Sequence, residues 1–193
     1  SGSDGIKAWA VGQSSSAYYT LQQVYDKNGQ PIEGEFVDRD GNGIINADDR
    51  YFYKKSVADV LMGLTSKLTY KNWDLGVSFR ASLGNYAYNA TEASKSNLSY
   101  SGLYSGSAWH NVANMVLDKN WQYVSTNSAL SDYFIQNASF LKCDNITLGY
   151  SFNKLFNAPI SGRVYLTAQN VFTITEYKGL DPEIDGGYDG NIY

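Results

Sequence analysis

The sequence predicts an all-β fold in which long antiparallel strands are joined by alternately short and long connections. Apolar and polar residues alternate with a period of two over four segments, and these segments are grouped in pairs around short turns. The chain has 193 residues, 43% hydrophobic and 18% charged, as in a folded protein. No segment approaches the roughly 20 apolar residues of a membrane helix, but a membrane-spanning β-strand needs only about 9–11 residues.

The first strand pair is a hairpin that we place at residues 61–84. One face of its first strand carries Met62, Leu64, Leu68 and Tyr70, and one face of its second strand carries Trp73, Leu75, Val77, Phe79 and Ala81. Asp74, Gly76, Ser78, Arg80 and Ser82 take the opposite face. Because the alternation restarts at Lys71 and Asn72, these two residues are predicted to form a tight hairpin turn.

The second strand pair is a hairpin within residues 133–176. Its apolar rows are Ile146, Leu148, Tyr150 and Phe152 in one strand, and Val164, Leu166, Ala168, Phe172 and Ile174 in the other. Upstream of Asn145 the alternation is broken, since Lys142 and Asp144 share parity with the apolar Ile146. We therefore expect a β-bulge at this point, or an exit from the apolar zone.

Three segments lack alternation and are assigned as long connections: 1–60, 85–132 and 177–193. They are rich in Gly, Ser and Tyr, with a turn signal at residues 26–29. The segment that starts at Ala108 has the spacing of a short helix, with Val112, Met115 and Val116 on one side. Connections of this length are functional or disordered.

Alternation alone fits both a soluble β-sandwich and a transmembrane β-barrel. The strand lengths, the regular exchange of short and long connections, and the charged Lys67, Asp74 and Arg80 on one face favour a barrel, whose lumen is wet. Aromatic residues at the strand ends resemble the girdles of such barrels: Tyr70, Trp73, Tyr150, Phe152 and Phe156 at the short turns, and Tyr86 and Tyr88 at the opposite rim.

Composition argues against several classes of function. The formal net charge is −4 and no Lys/Arg cluster occurs, so nucleic acid is not an expected partner. The single Cys143 cannot form an internal disulfide, and the single His110 leaves no nucleophile–base set. We therefore predict that the protein is not an enzyme.

A calcium-type loop is predicted at residues 38–49 of the first long connection. In the twelve-residue calcium pattern, the ligand positions are taken by Asp38, Asp40, Asn42, Ile44 through its carbonyl, Asn46 and Asp49. Gly43 stands where the loop must turn sharply, and hard oxygen ligands suit Ca²⁺. The alternative is an Asp/Asn/Gly turn stabilised by its own side chains. A bound ion would be structural, because it cross-links a long connection.

Four sequence runs resemble the C-terminal barrel region of SusC/RagA-type TonB-dependent outer-membrane transporters. They are EFVDRDGNGIINADDRYFY, GLTSKLTYKNWDLGVSFRASLGNYAYN, SFLKCDNITLGYSF and VYLTAQNVFTITEYKGLDPEI. Their order is characteristic of the family, and the resemblance extends from about Tyr19 to the end of the chain. It implies that the chain is a fragment of a 22-stranded transmembrane barrel in the bacterial outer membrane, without the N-terminal plug.

The resemblance also implies partners and cargo. A SusD-type surface lipoprotein would cover the barrel, TonB would act through the missing N-terminal region, and the cargo would be an oligosaccharide or a peptide. The long connections would be extracellular. Lys67, Asp74, Arg80, Arg163 and Gln169 would line the lumen, whereas Tyr51, Tyr53, Tyr104, Trp109 and Trp121 are candidate contacts to substrate or lipoprotein. The alternative function is a soluble calcium-stabilised β-sandwich module that binds carbohydrate.

Overall fold

The computed structural model describes residues 2–96, 98, 103–105, 108–122, 126–154 and 159–183. The chain forms two compact units, each assembled from separate stretches of sequence. The sheet unit comprises Ala58–Gly84 and Ser139–Glu176. The loop unit comprises the residues up to Val57, Asn85–Ala138, and the residues from Tyr177 onward.

The described residues form fourteen strands and three short α-helices. The strands are β1 (Gly2–Asp4), β2 (Lys7–Trp9), β3 (Ala17–Thr20), β4 (Gln23–Tyr25), β5 (Pro31–Phe36), β6 (Tyr51–Lys55), β7 (Val60–Tyr70), β8 (Trp73–Leu83), β9 (Tyr86–Tyr88), β10 (Tyr104–Ser105), β11 (Ala108–Trp109), β12 (Ile135–Asn137), β13 (Phe140–Phe152) and β14 (Gly162–Thr175). The helices are α1 (Ala90–Lys95), α2 (Met115–Asp118) and α3 (Thr126–Ala129), and 3₁₀ turns cover Ala47–Asp49 and Asp132–Phe134.

The sheet unit is one antiparallel sheet of long strands in the order β14-β13-β8-β7. This confirms the predicted antiparallel strands. Tyr70 pairs with Trp73, so the β7–β8 hairpin turns through the two predicted residues, Lys71 and Asn72. Lys71 has φ 54°, in the left-handed region that tight hairpin turns require.

The register places apolar residues opposite apolar residues across the sheet. Leu75 pairs with Leu68 on one side and with Leu148 on the other, and Leu148 pairs with Leu166. Leu68, Leu75, Leu148 and Leu166 therefore form one row across all four strands. Since directly opposite residues share a face of the sheet, the predicted apolar rows belong to one continuous apolar face.

The predicted β-bulge is present at Asp144. Cys143 pairs with Phe79 and Asn145 pairs with Ser78, so Asp144 is an extra residue on β13. The pairing of β13 with β14 shifts at the same place, and on β14 Asn170 has φ 49°. The extra residue reverses the parity of β13, so the apolar row passes from Ile146 to Cys143 and Leu141.

The loop unit contains several small antiparallel sheets, which corrects the assignment of residues 1–60 as connection alone. Strands β1, β2, β3 and β6 form one sheet in that order, while β4 pairs with β5 and β10 with β11. Strand β9 pairs with β12, and residues 133–138 belong to this unit and not to the second hairpin, where the sequence pattern places them. These strands have only two to six residues, too few to show a clear period in the sequence.

The hydrophobic core of the loop unit collects residues from distant parts of the chain. It consists of Ile6, Tyr18, Tyr88, Ala93, Met115, Val116, Trp121, Leu130, Phe134 and Ile135. Tyr88 belongs to this core and Tyr86 packs against it, so the prediction that both are girdle residues is wrong. Only Met115–Asp118 of the segment predicted to be helical forms a helix.

Many apolar side chains of the sheet unit are exposed. Leu166 is 75% exposed, Val164 59% and Leu148 43%.

Within the described ranges, no helix has both the length and the apolar character needed to cross a bilayer. Phe156 and most of the predicted connection 177–193, from residue 184 onward, lie outside the described residues.

Candidate functional site

Three carboxylates of the predicted calcium loop converge in the structure. One oxygen each from Asp38, Asp40 and Asp49 lies within 4.8 Å of the other two. The loop turns through Gly41 and Gly43, with φ 75° and 80°. Their backbone N–H groups donate to Asp38, from Gly41 to Oδ1 at 2.7 Å and from Gly43 to Oδ2 at 2.8 Å. The loop therefore orients Asp38 through its own backbone.

The donor set of this loop fits a calcium ion. Ca²⁺ binds oxygen ligands at 2.3–2.6 Å, so two ligands of one ion are separated by about 5 Å or less. The carboxylate oxygens meet that limit. Of the other predicted ligands, Asn42 Oδ1 accepts from the Ile44 N–H at 2.7 Å, and Asn46 Oδ1 accepts from the Asp48 N–H at 2.6 Å. These two amides stabilise the turn rather than join the carboxylate cluster.

Asp49 joins the end of the calcium-type loop to its start. Its side chain is fully buried and accepts from the backbone N–H of Asn46 and from that of Arg39, both at 2.8 Å. The Asn46 N–H is the main reason that the pKa of Asp49 lies below its ordinary value. Asp49 is therefore a carboxylate at neutral pH, and three adjacent negative charges favour a cation between them.

A cation–π contact and a hydrogen bond link this loop to the half-buried Asp132, which the sequence did not single out. The Arg39 guanidinium lies 4.8 Å from the centre of the Tyr51 ring. The Tyr51 hydroxyl donates to Asp132 Oδ2 at 2.6 Å, and the Gln23 backbone N–H donates to Asp132 Oδ1 at 3.0 Å. Burial raises the pKa of Asp132, and these two donors partly offset that effect. Burial, followed by the bond to Asp132, raises the pKa of Tyr51.

The five aromatic residues predicted to contact substrate or partner occupy different environments. Tyr51 and Tyr53 are half-buried, with ring centres 5.7 Å apart. Tyr104 and Trp109 face each other across the β10–β11 pair, 5.2 Å apart, and Trp109 is 75% exposed. Trp121 is only 2% exposed, and its indole N–H donates to the Pro31 carbonyl at 3.0 Å. This corrects the expectation of a contact residue, because Trp121 belongs to the core.

The polar face of the sheet carries an ion pair that crosses a strand. Asp74 on β8 and Arg163 on β14 pair through two hydrogen bonds, one of them from Arg163 Nε to Asp74 Oδ1 at 2.9 Å. Between them on β13 stands Gly149, which is opposite Asp74. A Cβ at this position would lie 2.5 Å from Arg163 Nη2 and 2.6 Å from Asp74 Oδ1. The missing side chain of Gly149 thus leaves room for the pair.

The bulge on β13 supplies a second ion pair on the polar face. Arg80 Nε donates to both carboxylate oxygens of Asp144, at 2.9 and 2.8 Å. The other residues predicted to line a lumen also lie on polar rows, Lys67 opposite Gly76 and Gln169 opposite Asn145. Sequence reasoning identified the charges but not their partners, because pairing across strands depends on the register.

The loop unit also contains an open cleft of about 600 Å³, which the sequence did not predict. It is bounded by α1, by residues 111–119, by Tyr133 and by residues 178–180. These segments are distant in sequence, and none carries a recognisable motif. No signal in the sequence could have located the cleft.

Comparison with known proteins finds relatives among TonB-dependent receptors. No protein-family model matches the chain. The chain is 51% identical over 192 residues to the TonB-dependent receptor SusC of Bacteroides thetaiotaomicron, a match that covers 97% of this chain and 19% of that receptor. It is 30% identical over 169 residues to the TonB-dependent receptor P3 of Formosa agariphila, covering 81% of this chain and 16% of that protein.

Solved structures show the same fold. A chain of the RagAB peptide importer in its closed-closed state superposes with a TM-score of 0.63 at 25% identity, over 89% of this chain and 21% of that one. The open-open state gives a TM-score of 0.64 over 94% of this chain and 23% of that one, at 22% identity. The chain therefore spans about a fifth of the length of its relatives. By sequence and by fold, it is a segment of a TonB-dependent receptor of the SusC/RagA type.

Proposed function

We propose that this segment is part of an outer-membrane nutrient importer, in which it supplies barrel wall and extracellular loops. The observation that carries the proposal is the 51% identity to a SusC receptor over nearly the whole chain. The long strands of the sheet unit would form the wall, and the loop unit, including the calcium-type loop, would lie outside the cell.

The two faces of the sheet support this proposal. One face presents Leu166, Val164 and Leu148, all at least 43% exposed, as expected for side chains that contact lipid. The other carries the Asp74–Arg163 ion pair, which suits a wet lumen. A soluble β-sandwich would cover the apolar face with a second sheet, so the exposed rows favour the barrel.

Arginine substitutions in the intact receptor test the orientation of the sheet. A lipid-facing Val77→Arg or Leu166→Arg should cost about 2–4 kcal/mol near the bilayer midplane. The matched control is Thr167→Arg, because Thr167 is adjacent to Leu166 and points to the polar face, where it contacts Thr147. Folding is measured by urea titration in lipid vesicles. Equal losses at Leu166 and Thr167 would refute the proposed orientation.

The importer would act with a SusD-type surface lipoprotein and would be energised by TonB through a region outside this chain. The cargo would be an oligosaccharide or a peptide; the solved neighbour is described as a peptide importer. Co-purification of the lipoprotein with the tagged receptor from outer membranes tests the partner. Uptake of labelled oligosaccharide and of labelled peptide, each with and without TonB, tests the cargo. Uptake that does not require TonB would contradict the proposal.

A structural calcium ion is proposed at Asp38, Asp40 and Asp49, completed by the Ile44 carbonyl and by water. Its support is the convergence of three carboxylates on a loop shaped by two left-handed glycines. Calcium titration by calorimetry should give heat that Asp40→Ala abolishes. Asp26→Ala is the matched control, because Asp26 accepts similar turn bonds from the N–H groups of Asn28 and Gln30. No heat at millimolar calcium would exclude the site.

The exposed aromatic pair on the β10–β11 hairpin is proposed to contact cargo or lipoprotein. Trp109 is 75% exposed and its ring contacts Tyr104 edge-on, so much of the indole is accessible for stacking. Trp109→Ala should weaken cargo uptake or lipoprotein binding, whereas Trp9→Ala, at the half-exposed end of β2, should not. Identical behaviour of the two variants would contradict the assignment.

A further inference from the structure

The cleft in the loop unit is enclosed by segments that hydrogen bonds connect. Gln136 Nε2 donates to Glu92 Oε2 at 2.7 Å, and the Lys178 backbone N–H donates to Gln136 Oε1 at 3.2 Å, which ties residues 178–180 to α1. On the other wall, the Ala113 N–H donates to the Lys95 carbonyl at 2.8 Å. The walls are therefore formed before any ligand arrives, as in most small-molecule sites.

Three ammonium groups and two carboxylates line the cleft. Lys95, Lys119 and Lys178 line it, against Glu92 and Asp118. Glu92 is already an acceptor in the wall, from Gln136 and from Asn89 at 3.0 Å. Lys119 donates one of its three protons to Gln30, at 2.8 Å. This distribution of charge favours an anionic group in the cleft.

The remaining lining suits aliphatic side chains and backbone amides. Met115, which is 4% exposed, and Leu180, which is 74% exposed, both line the cleft. Asn111 and Asn114 also line the cleft, and the Asn114 side chain forms no helix-capping hydrogen bond. Tyr133 contributes the single aromatic ring in the described lining of the cleft. An aliphatic lining with amides matches a peptide better than a sugar, which binds preferentially on aromatic faces.

We propose that this cleft binds a short acidic peptide, with its carboxylates held by Lys95 and Lys178 and an aliphatic side chain placed between Met115 and Leu180. The inference goes beyond the proposed function, because it concerns equilibrium binding by one compact unit and does not depend on transport.

Calorimetry on the intact receptor in detergent tests the inference with three probes. They are the acidic tripeptide N-acetyl-glutamyl-leucyl-glutamate, its uncharged analogue N-acetyl-glutaminyl-leucyl-glutaminamide, and trigalacturonate. The double variant K95Q/K178Q removes two ammonium groups, and K27Q is the matched control on an exposed turn outside the cleft. Retained near-ultraviolet circular dichroism shows that the variants are folded.

The acidic tripeptide should bind, and the uncharged analogue should bind at least about fivefold more weakly. The double variant should lose about fivefold in affinity for the acidic tripeptide, because two exposed charge contacts are removed. K27Q should match the parent chain. Three results would each overturn the inference: no binding of the acidic tripeptide at millimolar concentration, equal binding of the two tripeptides, or tighter binding of trigalacturonate. None of them would affect the assignment of the sheet to a barrel wall.

Discussion

Replacing Gly149 by alanine tests whether the Asp74–Arg163 ion pair depends on the empty space above β13. The added Cβ would lie 2.5 Å from Arg163 Nη2, well inside van der Waals contact, so the pair must move. The backbone there needs no glycine, because Gly149 lacks the positive φ found at Gly43 or Gly84. Any penalty of Gly149→Ala therefore comes from the ion pair.

The expected magnitude follows from exposure. The Arg163 side chain is 42% exposed and that of Asp74 14%, so the pair contributes about 0.2–1 kcal/mol to folding. Alanine in a strand is itself more favourable than glycine by about 0.5–1 kcal/mol. Gly76→Ala is the matched control on the same face, with open space around its Cβ. It should stabilise the chain, and Gly149→Ala should fall short of it by up to about 1 kcal/mol.

The assay is equilibrium unfolding by urea in detergent micelles, with each glycine variant made in the parent chain and in Asp74→Asn. The gap between Gly149→Ala and Gly76→Ala should close in the Asp74→Asn background, because the pair is already weakened there. The reasoning would be refuted if Gly149→Ala stabilised the parent chain as much as Gly76→Ala does.

Three further predictions concern the loop unit. Burial raises the pKa of Asp132 above the 3.8 of an ordinary aspartate, so ionisation of Asp132 opposes folding. The free energy of unfolding should therefore fall as pH rises through the folded-state pKa. Asp132→Asn should remove this decline in urea titrations between pH 3 and 8. Gly43→Ala should cost about 1–2 kcal/mol because φ is 80° and its surroundings are open, whereas Gly63→Ala should not destabilise; equal effects would contradict a conformational cause. Trp121→Phe leaves the Pro31 carbonyl without its donor and should cost about 1–3 kcal/mol by the same measurement; a neutral result would show that water replaces the indole.

The sheet could be predicted from sequence because its strands are long and each has one apolar and one polar face. The two-residue turn at Lys71 and the bulge at Asp144 were both visible as breaks in a period of two, and both are present. The partners of the charges were not visible. The Arg80–Asp144 pair joins residues on different hairpins, and its geometry arises from the register that the bulge creates.

The loop unit was largely hidden from sequence reasoning because its core is assembled from short, dispersed segments. Trp121 and Tyr88 look like surface aromatics in polar surroundings, yet both are buried in a core that combines two separate stretches of chain. The calcium-type loop was the exception, since its ligands lie within twelve consecutive residues. Asp132 carries no such local pattern, and its role became apparent only from its contacts with Tyr51 and Gln23.

The adjacency of β8 and β13 has a consequence for diversification. The whole of segment 84–139 connects the neighbouring strands β8 and β13. Where its two ends meet, the Gly84 N–H donates to Ser139 Oγ at 3.0 Å. Closing a connection twice as long costs only about 0.6 kcal/mol more. Because Ile6 and Tyr18 share the core of the loop unit with this segment, the residues up to Val57 must be exchanged together with it. A chimera that takes both from a related receptor should transplant recognition properties and keep the register of β8 and β13, which makes the junction a natural crossover point.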